Sequence, residues 1–170
     1  MKRDQINNLI KSVNSKLIEP ISFPEVRPAE GYTSFIMRKD DEYWMSQEVF
    51  EKTLVKLSNS VGCSRVIAAE DFERVYKSTG ETVRLNETFG VSWEEFSRFC
   101  SKNAMISFYI FDDSQRWCAW FNDGYWVLVF DKQLSDHIDD IYLNVNTALQ
   151  AFPEADEQFK IFIKHLYAAS

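Results

Sequence analysis

Histidine and carboxylate side chains are the residues of this 170-residue chain that could support metal or acid–base chemistry. His137 and Asp140 are three positions apart, and on a helix this spacing would place both side chains on one face. Two ligands do not hold a metal ion, and a third would have to come from elsewhere in the fold. Three adjacent carboxylate pairs could act as general acids or bases if a cleft separated them suitably, namely Asp40–Asp41, Asp112–Asp113 and Asp139–Asp140.

Serine and cysteine side chains lack the neighbours that would make them nucleophiles. None of the five glycines flanks a serine in the sharp elbow of a serine hydrolase, and there is no glycine-rich phosphate loop. Cys63, Cys100 and Cys118 lie in apolar contexts, and an odd number without paired spacing argues against a disulfide framework. We therefore expect reduced, half-buried thiols, no bound metal or cofactor, and a protein that is not an enzyme.

Aromatic side chains are unusually abundant. There are 14 Phe, 7 Tyr and 5 Trp, and together they make up 15% of the chain. Many of them fall in a predicted sheet, on both of its faces. A face left open would present the residue types common at binding hot spots, and Trp120 and Trp126 are the candidate contacts on it. The alternative is that helices cover both faces and these rings are core.

Negative charge is concentrated in one part of the chain. Residues 112–157 hold ten acidic residues against two basic ones, a net charge of −8, while the whole chain carries −7. Such a field repels phosphate backbones and accelerates encounter with basic proteins. We expect a basic protein partner and no nucleic acid or membrane, unless the charge serves only solubility. The acidic residues expected to lie exposed on one side are Asp112, Asp113, Asp123, Asp136, Asp139 and Asp140.

Apolar spacing and turn signals predict the elements of the N-terminal two thirds. Apolar residues three and four apart predict a helix over residues 4–18, and three prolines make residues 20–31 an extended connector. Ser92 and Glu95 fit a capping box at the start of a helix. Within a mixed region, 32–103, we predict a strand over 32–38, a helix over 46–62, a strand over 63–69, a short helix over 71–77 and a helix over 92–101.

The C-terminal third carries the clearest strand signals. Three aromatic and β-branched runs, 105–111, 117–122 and 125–131, predict an antiparallel meander over about residues 104–131, with Asp123–Gly124 in a tight turn. Two helices follow over 134–152 and 154–168. We predict a single α+β domain over residues 1–170, in which amphipathic helices pack on an antiparallel sheet.

Membrane and export signals are not found in the sequence. The apolar runs are far shorter than the roughly 20 residues of a membrane-spanning helix. The first residues are polar where a signal peptide would be apolar. A cytoplasmic location is the expectation.

In size, acidity, low cysteine content and lack of a catalytic motif, the chain is similar to the cytosolic immunity proteins with which bacteria neutralise their own toxins. The similarity is one of composition and covers no aligned residues, so it implies no site. It implies a stoichiometric inhibitor, and an acidic surface could occupy the basic cleft of a nuclease-like toxin. The alternatives are a small hydrolase or transferase with a carboxylate or His137 site, and a homo-oligomeric scaffold that associates through its aromatic sheet.

Overall fold

An antiparallel sheet flanked by helices is the centre of the computed structural model, which describes residues 1–17 and 23–168. The described residues form six strands of one sheet and a separate two-stranded hairpin. The sheet strands are β1 (Tyr32–Arg38), β2 (Arg65–Glu70), β5 (Asn86–Gly90), β6 (Phe108–Asp112), β7 (Trp117–Asn122) and β8 (Tyr125–Asp131), and the hairpin strands are β3 (Arg74–Val75) and β4 (Thr82–Val83). Across the sheet the order is β1-β8-β7-β6-β2-β5.

The helices lie before, between and after the strands. They are α1 (Arg3–Asn14), α2 (Gln47–Phe50), a π-helical turn (Glu51–Val55), α3 (Lys56–Ser60), α4 (Trp93–Lys102), two 3-10 segments (Lys132–His137 and Asp140–Leu143), α5 (Val145–Ala151) and α6 (Glu157–Leu166). Within the described ranges, no helix is long and apolar enough to span a membrane.

The meander forms as the sequence predicts. Strand β7 pairs with β6 on one side and with β8 on the other, both antiparallel. Gly124 takes φ +86 in the β7–β8 turn, a conformation that L side chains rarely adopt. Side chains alternate between the two faces, so Trp117 and Phe121 belong to one core cluster and Cys118 to the other.

Helices cover both faces of this sheet. On one face Phe50 and Phe96, from α2 and α4, stack at 4.6 Å between ring centroids above the strands. On the other face, Ile10 of α1 and Phe162 of α6 pack on the sheet. The prediction of a single α+β domain with amphipathic helices on an antiparallel sheet is confirmed. The alternative reading of the aromatic residues is also confirmed, because both faces of the meander are core.

Two predicted helices are wrong. Residues 71–77 contribute strand β3 of the hairpin, and Gly80, at φ +71, lies in the turn between β3 and β4. Residues 134–152 form two 3-10 segments and the short helix α5. Ile138 interrupts the helix with extended backbone and a buried side chain. The Asn144 side chain then caps α5 by accepting from the Asn146 and Thr147 amides.

The other predicted elements differ mainly at their ends. Helix α1 ends at Asn14 and α6 spans Glu157–Leu166, both shorter than predicted, while β5 has no counterpart among the predicted strands. Residue 18 of the predicted N-terminal helix and residues 20–22 of the predicted connector lie outside the described residues.

Candidate functional site

Asp112 does not lie on the surface. Its side chain is fully buried at the end of β6, so the expectation that it is exposed is wrong. The carboxylate accepts hydrogen bonds from the Trp117 indole at 2.6 Å, from the Ser114 amide at 3.0 Å and from the Ser114 hydroxyl. The physical reason is local: a turn that follows β6 needs an acceptor, and this carboxylate supplies it.

The other predicted acidic contacts are exposed, but they do not share one side. Asp113 lies in the β6–β7 turn and Asp123 in the β7–β8 turn, at opposite ends of a six-residue strand and so about 20 Å apart. Asp136 and Asp140 lie after β8 at the Asp113 end, as does Asp139, whose Oδ1 is 3.8 Å from Lys56 Nζ. The predicted single acidic face is therefore wrong, and a role of these residues in partner contact stays a prediction.

The two candidate tryptophans also differ from expectation. Trp126 is fully buried against Phe35 and Phe121, so it cannot contact a partner in this fold. Trp120 is half-buried, and its indole nitrogen donates to Asp71 Oδ2 at 3.0 Å and to Ser107 Oγ at 3.2 Å. Of the two, only Trp120 lies close to the surface.

His137 and Asp140 do not form the predicted pair on one helix face. Each belongs to a different 3-10 segment, and the buried Ile138 lies between them. Across residues 1–17 and 23–168, no group of three or more His, Cys, Asp or Glu side chains could hold a metal ion.

Two of the three thiols, those of Cys100 and Cys118, are unsuited to nucleophilic chemistry. All three cysteines are free, with Cys118 buried and Cys63 and Cys100 half-buried. Burial raises the pKa of Cys118 to about 12, and it raises the pKa of Cys100 to about 12 as well. Because the thiolate is the reactive form, these two side chains act as small apolar groups in the core.

A cavity of about 650 Å³ opens at the end of the sheet where β1 ends and the β7–β8 turn lies. We call it the acidic cleft. Among the described residues that line it, five side chains are acidic and two are basic, a net charge of −3. The charged residues that line it are Arg38, Lys39, Asp40, Asp41, Asp123, Glu154 and Asp156, and its aromatic residues are Phe23, Tyr125, Phe152 and Phe159.

Three chain segments meet at the acidic cleft. The Lys39 amide donates to the Gly124 carbonyl at 2.9 Å, which continues the β1–β8 pairing into the turn. Arg38 Nη1 lies 2.7 Å from Glu154 Oε1 and ties the end of β1 to the segment before α6. The pKa of Glu154 lies below its ordinary value, mainly because its carboxylate accepts a hydrogen bond from its own backbone amide. The Arg38 guanidinium lowers this pKa further.

Aromatic rings form one wall of the cleft. The Phe159 ring lies 5.4 Å from Tyr125, 5.3 Å from Phe152 and 6.2 Å from Phe23, measured between centroids. Phe152 is buried, whereas Phe23 is half exposed. The wall is therefore a continuous cluster of four aromatic rings.

Three carboxylates of the cleft have no hydrogen-bond or ion-pair partner among the described residues. Asp156 caps α6 through the Phe159 amide at 2.8 Å, and Glu154 pairs with Arg38. The exposed side chains of Asp40, Asp41 and Asp123 form no hydrogen bond or ion pair within the described part of the chain. The Lys39 ammonium forms no ion pair with them in the described structure, and it lies 4.6 Å from the centroid of the Trp44 ring. The cleft can thus supply acceptors for a cation.

Sequence reasoning identified Asp123 and the Asp40–Asp41 pair but did not bring them together. The pair follows the predicted strand 32–38, and Asp123 follows the predicted strand 117–122. This position after a strand is the sequence signal that they share. Their proximity depends on the pairing of β1 with β8, in which Arg38 lies opposite Tyr125. No local pattern encodes that pairing.

Comparisons with protein-family models, with curated proteins and with solved structures give no match. The chemistry of the acidic cleft is therefore the basis for assigning a function.

Proposed function

We propose that this protein is a binding module that docks a basic partner protein in the acidic cleft, as an immunity-type inhibitor of a nuclease-like toxin would. One observation carries the proposal: three unpaired carboxylates surround a cavity with an aromatic wall. The charge that supports the proposal lies in this cleft and not on a single face formed by residues 112–157.

Cationic side chains are the groups that this cleft would accept best. A guanidinium can form paired, charge-assisted hydrogen bonds with a carboxylate such as Asp40 or Asp123. The same planar cation gains from contact with the rings of Tyr125 and Phe159. Phosphate groups would be repelled by the net charge of −3, which argues against nucleic acid as the direct ligand.

A nuclease-like toxin fits these requirements because it must hold phosphates in a basic cleft of its own. Carboxylates presented at the surface of an inhibitor can take the place of those phosphates. Opposite charge also steers the two proteins together, which raises the association rate. An inhibitor that must act before its toxin damages nucleic acid gains most from fast association.

The proposal is tested with a charge-neutral variant of the cleft, Asp40→Asn, Asp41→Asn and Asp123→Asn combined. Its matched control, Asp113→Asn, Asp136→Asn and Asp140→Asn combined, removes the same charge at the other end of β7. Each protein is immobilised and used to capture partners from the native host. We expect one basic protein that the wild type and the control retain and the cleft variant loses by at least tenfold in affinity.

Function is then measured directly with the captured protein. We expect it to cleave nucleic acid and to be inhibited at one-to-one stoichiometry by the wild-type protein and by the control, but weakly by the cleft variant. A partner that binds the cleft variant as tightly as the wild type would contradict the proposal. So would a captured partner that is itself acidic.

A further inference from the structure

Arg38 is a cation of this chain that lies in the cavity where we propose that a partner's cations bind. It is the last residue of β1, and its side chain lines the acidic cleft. Its Nη1 lies 2.7 Å from Glu154 Oε1 and donates to the carbonyl of Ala151, the last residue of α5, at 3.3 Å. The last carbonyls of a helix have no partner within the helix, so they accept such a donor readily. One guanidinium position of the cleft is therefore already occupied.

This contact divides the charge of the cleft. Glu154, in the segment before α6, is neutralised by Arg38. Asp40, Asp41 and Asp123 lie in the loop after β1 and in the β7–β8 turn, and they have no hydrogen-bond or ion-pair partner among the described residues. Without the charge of Arg38, the net charge of the described lining residues would change from −3 to −4. An entering cation thus meets free carboxylates in the two loops and a like charge beside Glu154.

The Arg38–Glu154 ion pair is exposed, so its effect on folding is small. The two side chains are 53% and 59% exposed. Ion pairs at such exposure contribute little to stability, because water screens the charges and two long side chains lose freedom. The same exposure leaves the guanidinium within reach of a bound partner. We therefore expect Arg38 to affect binding more than folding.

We propose that Arg38 is a specificity-determining residue of the acidic cleft, an internal competitor that occupies Glu154 and repels the cations of weakly basic proteins. This inference rests on the proposed function. A partner must then present several basic side chains towards Asp40, Asp41 and Asp123 in order to bind. Interfaces commonly discriminate against wrong partners with a repulsive element of this kind.

The test removes the charge with Arg38→Met, which keeps most of the apolar stem. Its matched control is Arg98→Met. Arg98 is not among the described residues that line the cleft, its side chain is 55% exposed, and it pairs with Glu94 at 2.9 Å. Both variants change the net charge of the chain from −7 to −8. The probe is a blocked hexa-arginine peptide, titrated by calorimetry at about 0.1 M salt, where charges more than about 10 Å apart are largely screened.

We expect Arg38→Met to bind the peptide roughly two- to fivefold more tightly than the wild type, the range of one exposed ion pair. Glu154→Gln should bind it more weakly, because Arg38 is then an unpaired cation in the cleft. The combination of both substitutions should bind as the wild type does, since a neutral pair is removed as a unit. The Arg98→Met control should also bind as the wild type does. Thermal unfolding checks that every variant is folded.

Unchanged or weaker binding by Arg38→Met would overturn the inference, and weaker binding would make Arg38 a support of the cleft. An equal gain in Arg98→Met would also overturn it, because net charge alone would then explain the effect. The cleft variant separates this failure from failure of the proposed function. If the cleft variant loses affinity while Arg38→Met gains none, only the inference fails. If the cleft variant binds the peptide as the wild type does, or the wild type does not bind it, the proposed function fails as well.

Discussion

Asp112 is a single carboxylate whose neighbours decide its role. It belongs to the most acidic part of the sequence, yet it is buried at the end of β6. Its three donors come from Ser114 and Trp117, within five positions along the chain. It therefore shapes the β6–β7 turn and satisfies the indole nitrogen of a fully buried tryptophan, while Asp113 beside it points to solvent.

We expect Asp112→Ala to lower the free energy of unfolding by about 2–4 kcal/mol, because a buried indole N–H and a turn amide lose their acceptor. The matched control, Asp113→Ala, removes an exposed carboxylate and should change stability by less than about 0.5 kcal/mol. Urea unfolding followed by tryptophan fluorescence measures both. Equal stability of the two variants would mean that the buried hydrogen bonds contribute nothing.

At the scale of elements, the junction between β5 and α4 combines a predicted cap with an unpredicted contact. The Ser92 hydroxyl accepts from the Glu95 amide at 3.3 Å, as a capping residue should. The Glu95 carboxylate, however, accepts from the Gly90 amide at 2.6 Å and does not return to the Ser92 amide. The helix start is thereby tied to the edge strand of the sheet.

This contact leaves no room for a side chain at Gly90. A Cβ placed there would lie 2.8 Å from Glu95 Oε1, so Glu95 would have to move and lose its hydrogen bond. We expect Gly90→Ala to destabilise the protein by about 1.5–3 kcal/mol, the range of one hydrogen bond to a charged group. In a Glu95→Ala background the same substitution should be nearly neutral. A double-mutant cycle by urea unfolding measures the difference, and additive effects would refute the coupling.

At the scale of the whole molecule, the fold has three layers, the sheet and the helices on each of its faces. These layers bury several ionisable groups in their neutral form. Burial raises the pKa of Tyr167 to about 12, as it does for Cys100 and Cys118. Tyr167 lies between the layers, where its hydroxyl donates to the Tyr142 carbonyl at 3.2 Å and accepts from the Ile36 amide at 3.3 Å. These groups keep their protons in the fold at a pH where the unfolded chain has lost them.

We therefore expect stability to fall as the pH rises from about 9 to 12. In this window the folded protein binds more protons than the unfolded chain, so the free energy of unfolding decreases with pH. The contribution is fully present below the ordinary pKa values of 9.0 for the thiols and 10.0 for the phenol. Thermal unfolding across this range measures it. Tyr167→Phe should flatten the upper part of the curve, and an unchanged slope would contradict the assignment.

The sequence by itself determined most of the local structure. The three strands of the meander, the Gly124 turn, the Ser92 cap and the start of the second helical segment at Ser46 were predicted correctly. These features depend on side-chain alternation, on backbone conformations that glycine allows, and on hydrogen bonds between residues two to four apart. Neighbours along the chain are enough to specify them.

Only the tertiary structure decided which side chains are available for function. Trp120 and Trp126 lie in similar strand sequences, but Trp126 is fully buried in the core of one face, whereas Trp120 packs only half-buried against the core of the other. The acidic cleft exists because Lys39 pairs with Gly124, 85 positions later in the chain. A hairpin forms where helical spacing predicted a helix, because Arg74 and Val75 pair with Val83 and Thr82 of the next strand. Burial and long-range pairing depend on which elements pack together, and no local pattern carries that information.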